Sequence, residues 1–328
     1  MTRTANLRIM GAAAIALMTL ARPALADNKP MKIIMVSGPL FDPFFSALKR
    51  GADDAAKAMG VEYQYSTIQD PSNAQTEITR ALDQAVATTP DVLIVGDYFP
   101  QSMDPIIKRA AAAGIPVILS DGPGNFKDLG AVGFVGFNPP AIGTQAGQEA
   151  SKLGVKDGIC INSVAGNPSL EALCNNYVKA LEATGGKGKV ITLGYQDVSN
   201  PQATLQAIKG AMQVDPAMDG ILTVGSAQAE LAVQAVADAG KAPDSVKIMS
   251  NGISTKVLEY LRDGKVAAVF DPQPYLDGYY SIVQAVHHVR YGLSPLESVI
   301  VGPVPLTKED AQKVIDINKQ YLGIRGIN

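Results

Sequence analysis

The chain has no tryptophan, and its 328 residues include only two histidines and two cysteines. Those shortages exclude whole classes of chemistry. The histidines, His287 and His288, are adjacent within a helical pattern, "YYSIVQAVHHVRYG". Neighbours on a helix point about 100° apart and cannot close on one ion together, and no third ligand follows at metal spacing. "DPAMDG", residues 215–220, lacks the spacing of a calcium loop. A Gly-x-Ser-x-Gly elbow, a P-loop and a Cys–His pairing are also missing from the sequence. Neither an enzyme nor a cofactor is expected. An excess of positive charge is lacking too: 28 basic residues face 31 acidic ones, so nucleic acid is not an expected partner.

Long apolar runs are lacking with one exception, at the start. Arg3 and Arg8 precede the run from Ile9 to Ala21, and Ala24-Leu25-Ala26 follows it. Basic, apolar, then small-x-small is the order of a secretory signal peptide. The run is shorter than the roughly 20 residues that span a bilayer. We therefore expect residues 1–26 to be a cleaved leader and the mature chain to be exported. Loss of Arg3, Arg8 and Arg22 moves the net charge from −3 to about −6. The roughly 300 residues left are enough for two domains of ordinary size. In such a compartment Cys160, in the run "ICINSV", and Cys174, in the helical pattern after it, are either one disulfide or two buried thiols.

What is present is alternation. Apolar, β-branched runs ("KIIMVS", "EYQYST", "DVLIVGD", "IPVILSD", "AVGFVGF", "GICINSV", "KVITLGY", "DGILTVG", "VKIMSNG", "VAAVFDP") are separated by helical patterns such as "QTEITRALDQAVAT". That order argues for parallel sheets covered by helices on both faces. The order is also written twice. Gln69-Asp70, Gly96-Asp97 and Ser120-Asp121-Gly122 answer Gln196-Asp197, Gly225-Ser226 and Ser250-Asn251-Gly252. Helix caps such as Ser72 and Ser199 explain one such match, not three in register. The expected fold is α/β: two similar doubly wound parallel-sheet domains facing each other across a cleft. Ligands bind such sheets outside the carboxyl ends of the strands, which singles out Asp42, Asp97, Asp121, Asn167, Ser226, Asn251 and Asp271.

One turn stands out against an aromatic content of 6%: "SGPLFDPFFSALKRG" places Phe41, Phe44 and Phe45 around Asp42. A turn needs Asp, Pro or Gly; it does not need three phenylalanines. Phe44 also fits a helical stripe with Leu48, Ala52, Ala55 and Met59, so packing against a sheet is its plainer reading. "GKGK" at 186–189 reads as a solvated loop ahead of a strand.

"DPFFSALKRGADDAAKAMG", "AAAAGIPVILSDG", "FNPPAIGTQAG", "VAGNPS" and "LRDGKVAAVFDPQPYLDGYYSI", in that order, resemble the periplasmic sugar-binding proteins of the ribose-binding type. These are the substrate-binding components of ABC transporters. The resemblance covers nearly the whole mature chain and implies the type I periplasmic-binding-protein fold. It implies one domain of residues 27–135 plus 272–299 and another of 136–271 plus 300–328, hinged by crossings near 135–138, 270–273 and 298–302. The family's stacking pair falls on Phe44 and Phe45, with Asp42 as the polar partner at the head of the turn. Its ligand-binding aspartates fall on Asp121 and, as an asparagine here, on Asn251. Asp97, Tyr98 and Asn167 are further candidates at strand ends, and Asp271 and Gln273 lie where the family places a binding glutamine. Family members that bind aldoses commonly carry arginine after the first aspartate, and here that residue is Gly122. A pocket rich in carboxylates and short of arginine favours a neutral sugar or sugar alcohol. The implied partner is a membrane permease of an ABC importer, or a chemoreceptor in a sensing role, with the protein acting as a monomer. A quorum-signal binder of the same fold is the alternative. A sugar-responsive repressor would need a DNA-binding module ahead of the first strand, where the chain has only the expected leader.

Overall fold

The computed structural model describes residues 30–68, 70, 73–122, 126–194, 197 and 200–325. The expected leader and residues 69, 72, 196 and 199 of the repeat lie outside them.

Strand β1 (Ile33–Val36) shows why the run "IIMV" is apolar throughout. Ile33 and Met35 face one core cluster, and Ile34 and Val36 face another on the opposite side of the sheet. Helix α1 (Pro43–Met59) buries Leu48, Ala52 and Ala55 against the first of these clusters, and Gly60 in the left-handed region ends it. The same logic repeats through β2 (Tyr63–Ser66), α2 (Ala74–Ala87), β3 (Val92–Gly96), α3 (Pro100–Ala112), β4 (Val117–Ser120) and β5 (Gly133–Phe137). Each fully buried Leu or Ile contributes about 1.5–3 kcal/mol.

After β5 the chain leaves this sheet. α4 (Pro139–Lys152), β6 (Asp157–Asn162), α5 (Pro168–Glu182), β7 (Lys187–Thr192), α6 (Pro201–Val214), β8 (Gly220–Thr223), α7 (Ser226–Asp238), β9 (Lys247–Asn251), α8 (Thr255–Arg262) and β10 (Ala268–Asp271) build a second sheet of the same design. Then α9 (Pro274–Tyr291) and β11 (Val299–Gly302) return to the first sheet. β12 (Val304–Leu306) and α10 (Lys308–Gln320) belong to the second. The strand orders are β11-β5-β4-β3-β1-β2 and β12-β10-β9-β8-β6-β7, identical in plan. All recorded pairings are parallel except β10 with β12. The expected architecture of two doubly wound α/β domains is the observed one.

Three crossings join the lobes: after Phe137, after Asp271 and between Gly302 and Val304. The second and third touch. A Cβ on Gly302 would fall 2.7 Å from the Pro272 carbonyl oxygen, and the Gln273 side chain donates to the Val301 carbonyl. β11 and β12 do not appear among the runs read as strands; Pro303 separates them and Pro305 lies within β12, which breaks the run. "GKGK" is corrected as well: Lys187, Gly188 and Lys189 pair with β6 at the sheet edge rather than forming a loop.

Each lobe is tightened by helices that meet through glycine. On α1 and α9, a Cβ at Gly51 would lie 1.9 Å from the Tyr275 carbonyl oxygen, and one at Gly278 would lie 1.9 Å from that of Leu48. On α4 and α5, a Cβ at Gly143 would lie 2.0 Å from the Leu173 carbonyl oxygen. Cys160 on β6 and Cys174 on α5 form a disulfide beneath the second sheet, with 5.4 Å between their Cα atoms. Closing a loop of this length stabilises by about 3 kcal/mol on the chain-entropy account.

Gly278→Val forces α9 away from α1 and should lower stability by about 1–3 kcal/mol, the usual cost of overpacking. A calorimetric scan of the ligand-free protein should show the melting temperature falling by several degrees, whereas Gly210→Ala, inside α6 with open space around it, should cost nothing.

Candidate functional site

The carboxyl ends of both sheets open into one cavity of about 320 Å³. That is at the small end of the range for ligand sites, about 300–1,000 Å³. From the first lobe come the β1–α1 turn, Tyr98, Asp121, Gly122 and Phe137. From the second come Asn167 in the β6–α5 turn, Ser226 and Gln228 at the start of α7, Asn251 at the end of β9, and Asp271 at the end of β10.

The β1–α1 turn is built by its cap. Asp42 Oδ1 accepts the Phe44 N–H at 2.9 Å, and Pro43 fits the first helical position, so the chain turns sharply and presents its phenylalanines. Phe44 and Phe45 stand edge to face, centroids 5.0 Å apart and planes at 82°. A flat ring can therefore lie along the face of one of them, not both. Phe44 is also a packing residue: it touches the α1 core of the first lobe, the α4–α5 core of the second, and Phe137 at 6.0 Å. Phe45 lies over Gly38, where a Cβ would come within 2.2 Å of its ring, and meets Tyr98 edge-on at 5.9 Å. Phe41 lines the same cavity and is otherwise exposed.

Asp121 occupies the left-handed region at φ 45°, and Gly122 follows at φ 150°. A side chain at position 122 would be strained there, which gives a backbone reason for the missing arginine. Burial raises the Asp121 pKa to about 7; the Tyr98 hydrogen bond lowers it and the nearby Asp42 carboxyl raises it. Burial likewise raises Asp42, partly offset by the Phe44 N–H. Behind Asp121, the fully buried Asp277 accepts from Ser120 Oγ at 3.0 Å and Ser281 Oγ at 3.4 Å. Burial, then the Asp121 charge, pushes it well above the carboxylate range. Tyr98 OH and Ser37 Oγ are hydrogen-bonded at 3.0 Å, which fixes the phenol beside Asp121.

In the second lobe, Asn167 caps α5, its Oδ1 accepting from Ser169 N–H at 3.0 Å and Leu170 N–H at 3.3 Å. Asn251 Nδ2 donates to the Val224 carbonyl at 3.2 Å, and its buried Oδ1 has no partner. An unpaired buried acceptor costs about 1–3 kcal/mol, which a ligand donor would recover. Asp271 accepts the Gln273 N–H at 2.9 Å on one oxygen and the Arg325 guanidinium on the other.

Eight of the ten residues read from the sequence, Asp42, Phe44, Phe45, Tyr98, Asp121, Asn167, Asn251 and Asp271, line the cavity; Asp97 and Gln273 do not. Asp97 points away from it. Burial and the Asp104 carboxyl raise its pKa to about 7. Gln273 is turned toward Val301 instead. Arg325 was not foreseen. It lies on the cavity wall, in a short "GIRG" tail with no motif around it, so the pocket is not devoid of arginine. Among the described residues no group of three His, Cys, Asp or Glu side chains is placed to hold a metal ion.

Two like lobes, three crossings and a cavity walled by both define a hinged solute-binding protein class. The family model described as periplasmic binding protein domain matches residues 33–293, and the chain belongs to that family. Membership implies a location outside the cytoplasm. The chain is 24% identical to the D-ribose/D-allose-binding protein of Pseudomonas aeruginosa over 94% of this chain and 96% of the other. It is 24% identical to a ribose import binding protein of Bacillus subtilis, over 87% and 90%. Among solved structures, a carbohydrate transporter from Acidothermus cellulolyticus in complex with myo-inositol superposes with TM-score 0.79 at 26% identity, covering 90% of this chain and 99% of that one.

The raised pKa of Asp121 makes ligand-free stability pH-dependent. The native state holds a proton up to about pH 7 that the unfolded chain releases near 4, so this contribution is present at low pH and lost as pH rises through 7. Asp97 acts in the same direction. Asp121→Asn should therefore raise the ligand-free melting temperature by several degrees at pH 8 and change it little at pH 4, as a pH series of thermal melts would read.

Proposed function

We propose that the protein captures a neutral sugar or sugar alcohol between its lobes and delivers it to an ABC importer. The observation that carries this reading is the cavity itself. It joins aromatic faces (Phe44, Phe45) to polar groups from both sheets: Asp42, Tyr98 and Asp121 on one side, and Asn167, Asn251 and Asp271 on the other. Aromatic faces attract the C–H faces of a sugar, and carboxylates, amides and phenols satisfy its hydroxyls. Asp42 and Asp121 give an anion no positive partner on that wall. The names of the ribose-binding relatives and of the inositol complex support the ligand class, and the family's location supports capture outside the cytoplasm with residues 1–26 as the leader.

In this reading two bodies, residues 30–137 with 272–302 and residues 138–271 with 303–325, turn about the three crossings; the boundary at 137, in place of the expected 135, keeps β5 whole. The boundary at 302 follows the pairing of β11 with β5. A ligand that touches both walls favours the closed arrangement by its differential affinity for it, and the permease reads the closed surface. A monomer suffices, because both walls come from one chain.

A thermal-shift screen against pentoses, hexoses, sugar alcohols and inositols tests this. A ligand at a thousand times its Kd stabilises by about 4 kcal/mol, on the order of 10 °C for a chain of this length. The expected result is a large shift with one neutral polyol, lost in Asp121→Ala and Phe45→Ala. A flat screen would exclude neutral polyols and point to another small signal molecule.

A further inference from the structure

Arg325 is the only lysine, arginine or histidine among the described residues that line the cavity. It comes from beyond residue 293, where the family model ends, on the segment that follows α10. Its position is built rather than incidental. The guanidinium bonds to Asp271, whose side chain is fully buried, while the Arg325 side chain keeps 22% exposure. The Arg325 backbone N–H is held by Asn318 Oδ1 at 3.4 Å, and α10 is itself packed on the second sheet through Val314 and Ile315. The bond to Asp271 uses part of a guanidinium that carries five N–H donors, and Nε is buried with no partner.

The first lobe faces this group with Asp42 and Asp121, and with Gly122, whose φ of 150° would strain any side chain placed there. The two walls are therefore unlike: carboxylates on one, an arginine braced by an aspartate on the other. We propose that Arg325 is a specificity-determining residue that donates from its braced guanidinium to adjacent hydroxyls of the bound polyol. Asp271 cancels its charge, so the pair recognises a diol rather than recruiting an anion. Asp271 holds the fork in place and is a positioning residue for it. This inference rests on the neutral-polyol reading above and adds which end of the chain selects among polyols.

Calorimetric titration of the full mature chain with myo-inositol, D-ribose and the monodeoxy analogues of each tests it. Wild type should bind a parent compound and discriminate against at least one of its monodeoxy analogues by tenfold or more. Arg325→Ala should bind the parent at least tenfold more weakly and lose the discrimination at that hydroxyl while keeping it elsewhere. Arg325→Lys, which keeps the charge and loses the fork, should recover little of either. A ligand-free melt of each variant accompanies the titration. Arg325→Ala with wild-type affinity would overturn the proposal. So would weaker binding with unchanged discrimination at every hydroxyl, since Arg325 would then only hold the cavity wall. If wild type binds no parent or analogue and the wider thermal-shift screen is flat as well, the neutral-polyol reading itself fails, and this inference fails with it.

Discussion

Three aspartates are withdrawn from water around the cavity and a fourth, Asp42, is half-buried beside them, and the rest of the site is arranged around that fact. Asp42, Asp121, Asp277 and Asp271 would each prefer solvent, and their pKa values are raised by burial. Different groups hold each one. Asp42 has the first N–H of a helix, Asp121 a phenol, Asp277 two serine hydroxyls, and Asp271 an N–H and the one arginine. Polar groups held dry and only partly satisfied are costly in the empty protein and valuable when a ligand supplies the missing donors. The unpartnered Oδ1 of Asn251 belongs to the same pattern. Stability has been given up locally at the place where binding requires it.

The crossings turn that local arrangement into mechanics. Gly302 against Pro272 and Gln273 on Val301 tie two of the three connections into one strip, whereas the first, after Phe137, runs separately along the cavity wall. Phe44, packed against the cores of both lobes, crosses the same divide by contact alone. Each lobe is thus pinned by a glycine-mediated helix pair, and the connections between the lobes are narrow.

The fold was legible because strand and helix periods are strong and the order occurs twice, so each half supports the reading of the other. β11 and β12 escaped because a three- or four-residue strand flanked by proline carries almost no periodic signal. The cavity was legible where strand ends dictate it. Asp42 and Asn167 illustrate why a cap and a cavity residue need not be rivals: each binds backbone N–H groups through one oxygen while lining the pocket. Asp97 and Gln273 show the limit. Both sit at strand ends, but the carboxylate meets Asp104 on the next helix and the amide meets Val301 on another strand, contacts that the strand period does not encode. Arg325 lay beyond any such reasoning, since only the tertiary path of the segment after α10 brings it to Asp271.

The two helix pairs look equivalent in space but not along the chain. α4 and α5 are successive helices, whereas α1 and α9 are separated by the entire second lobe. Contacts between near neighbours cost little loop entropy and form early; contacts between distant segments wait for the intervening chain to be organised. The second lobe can therefore assemble its α4–α5 helix pair on its own, while the first holds an incomplete sheet until β11 arrives. During that interval the face of α1 that Gly51 keeps clear for α9 is bare. The two walls of the cavity therefore differ in how much chain must be ordered before their helices meet, which makes α1–α9 the contact of higher order.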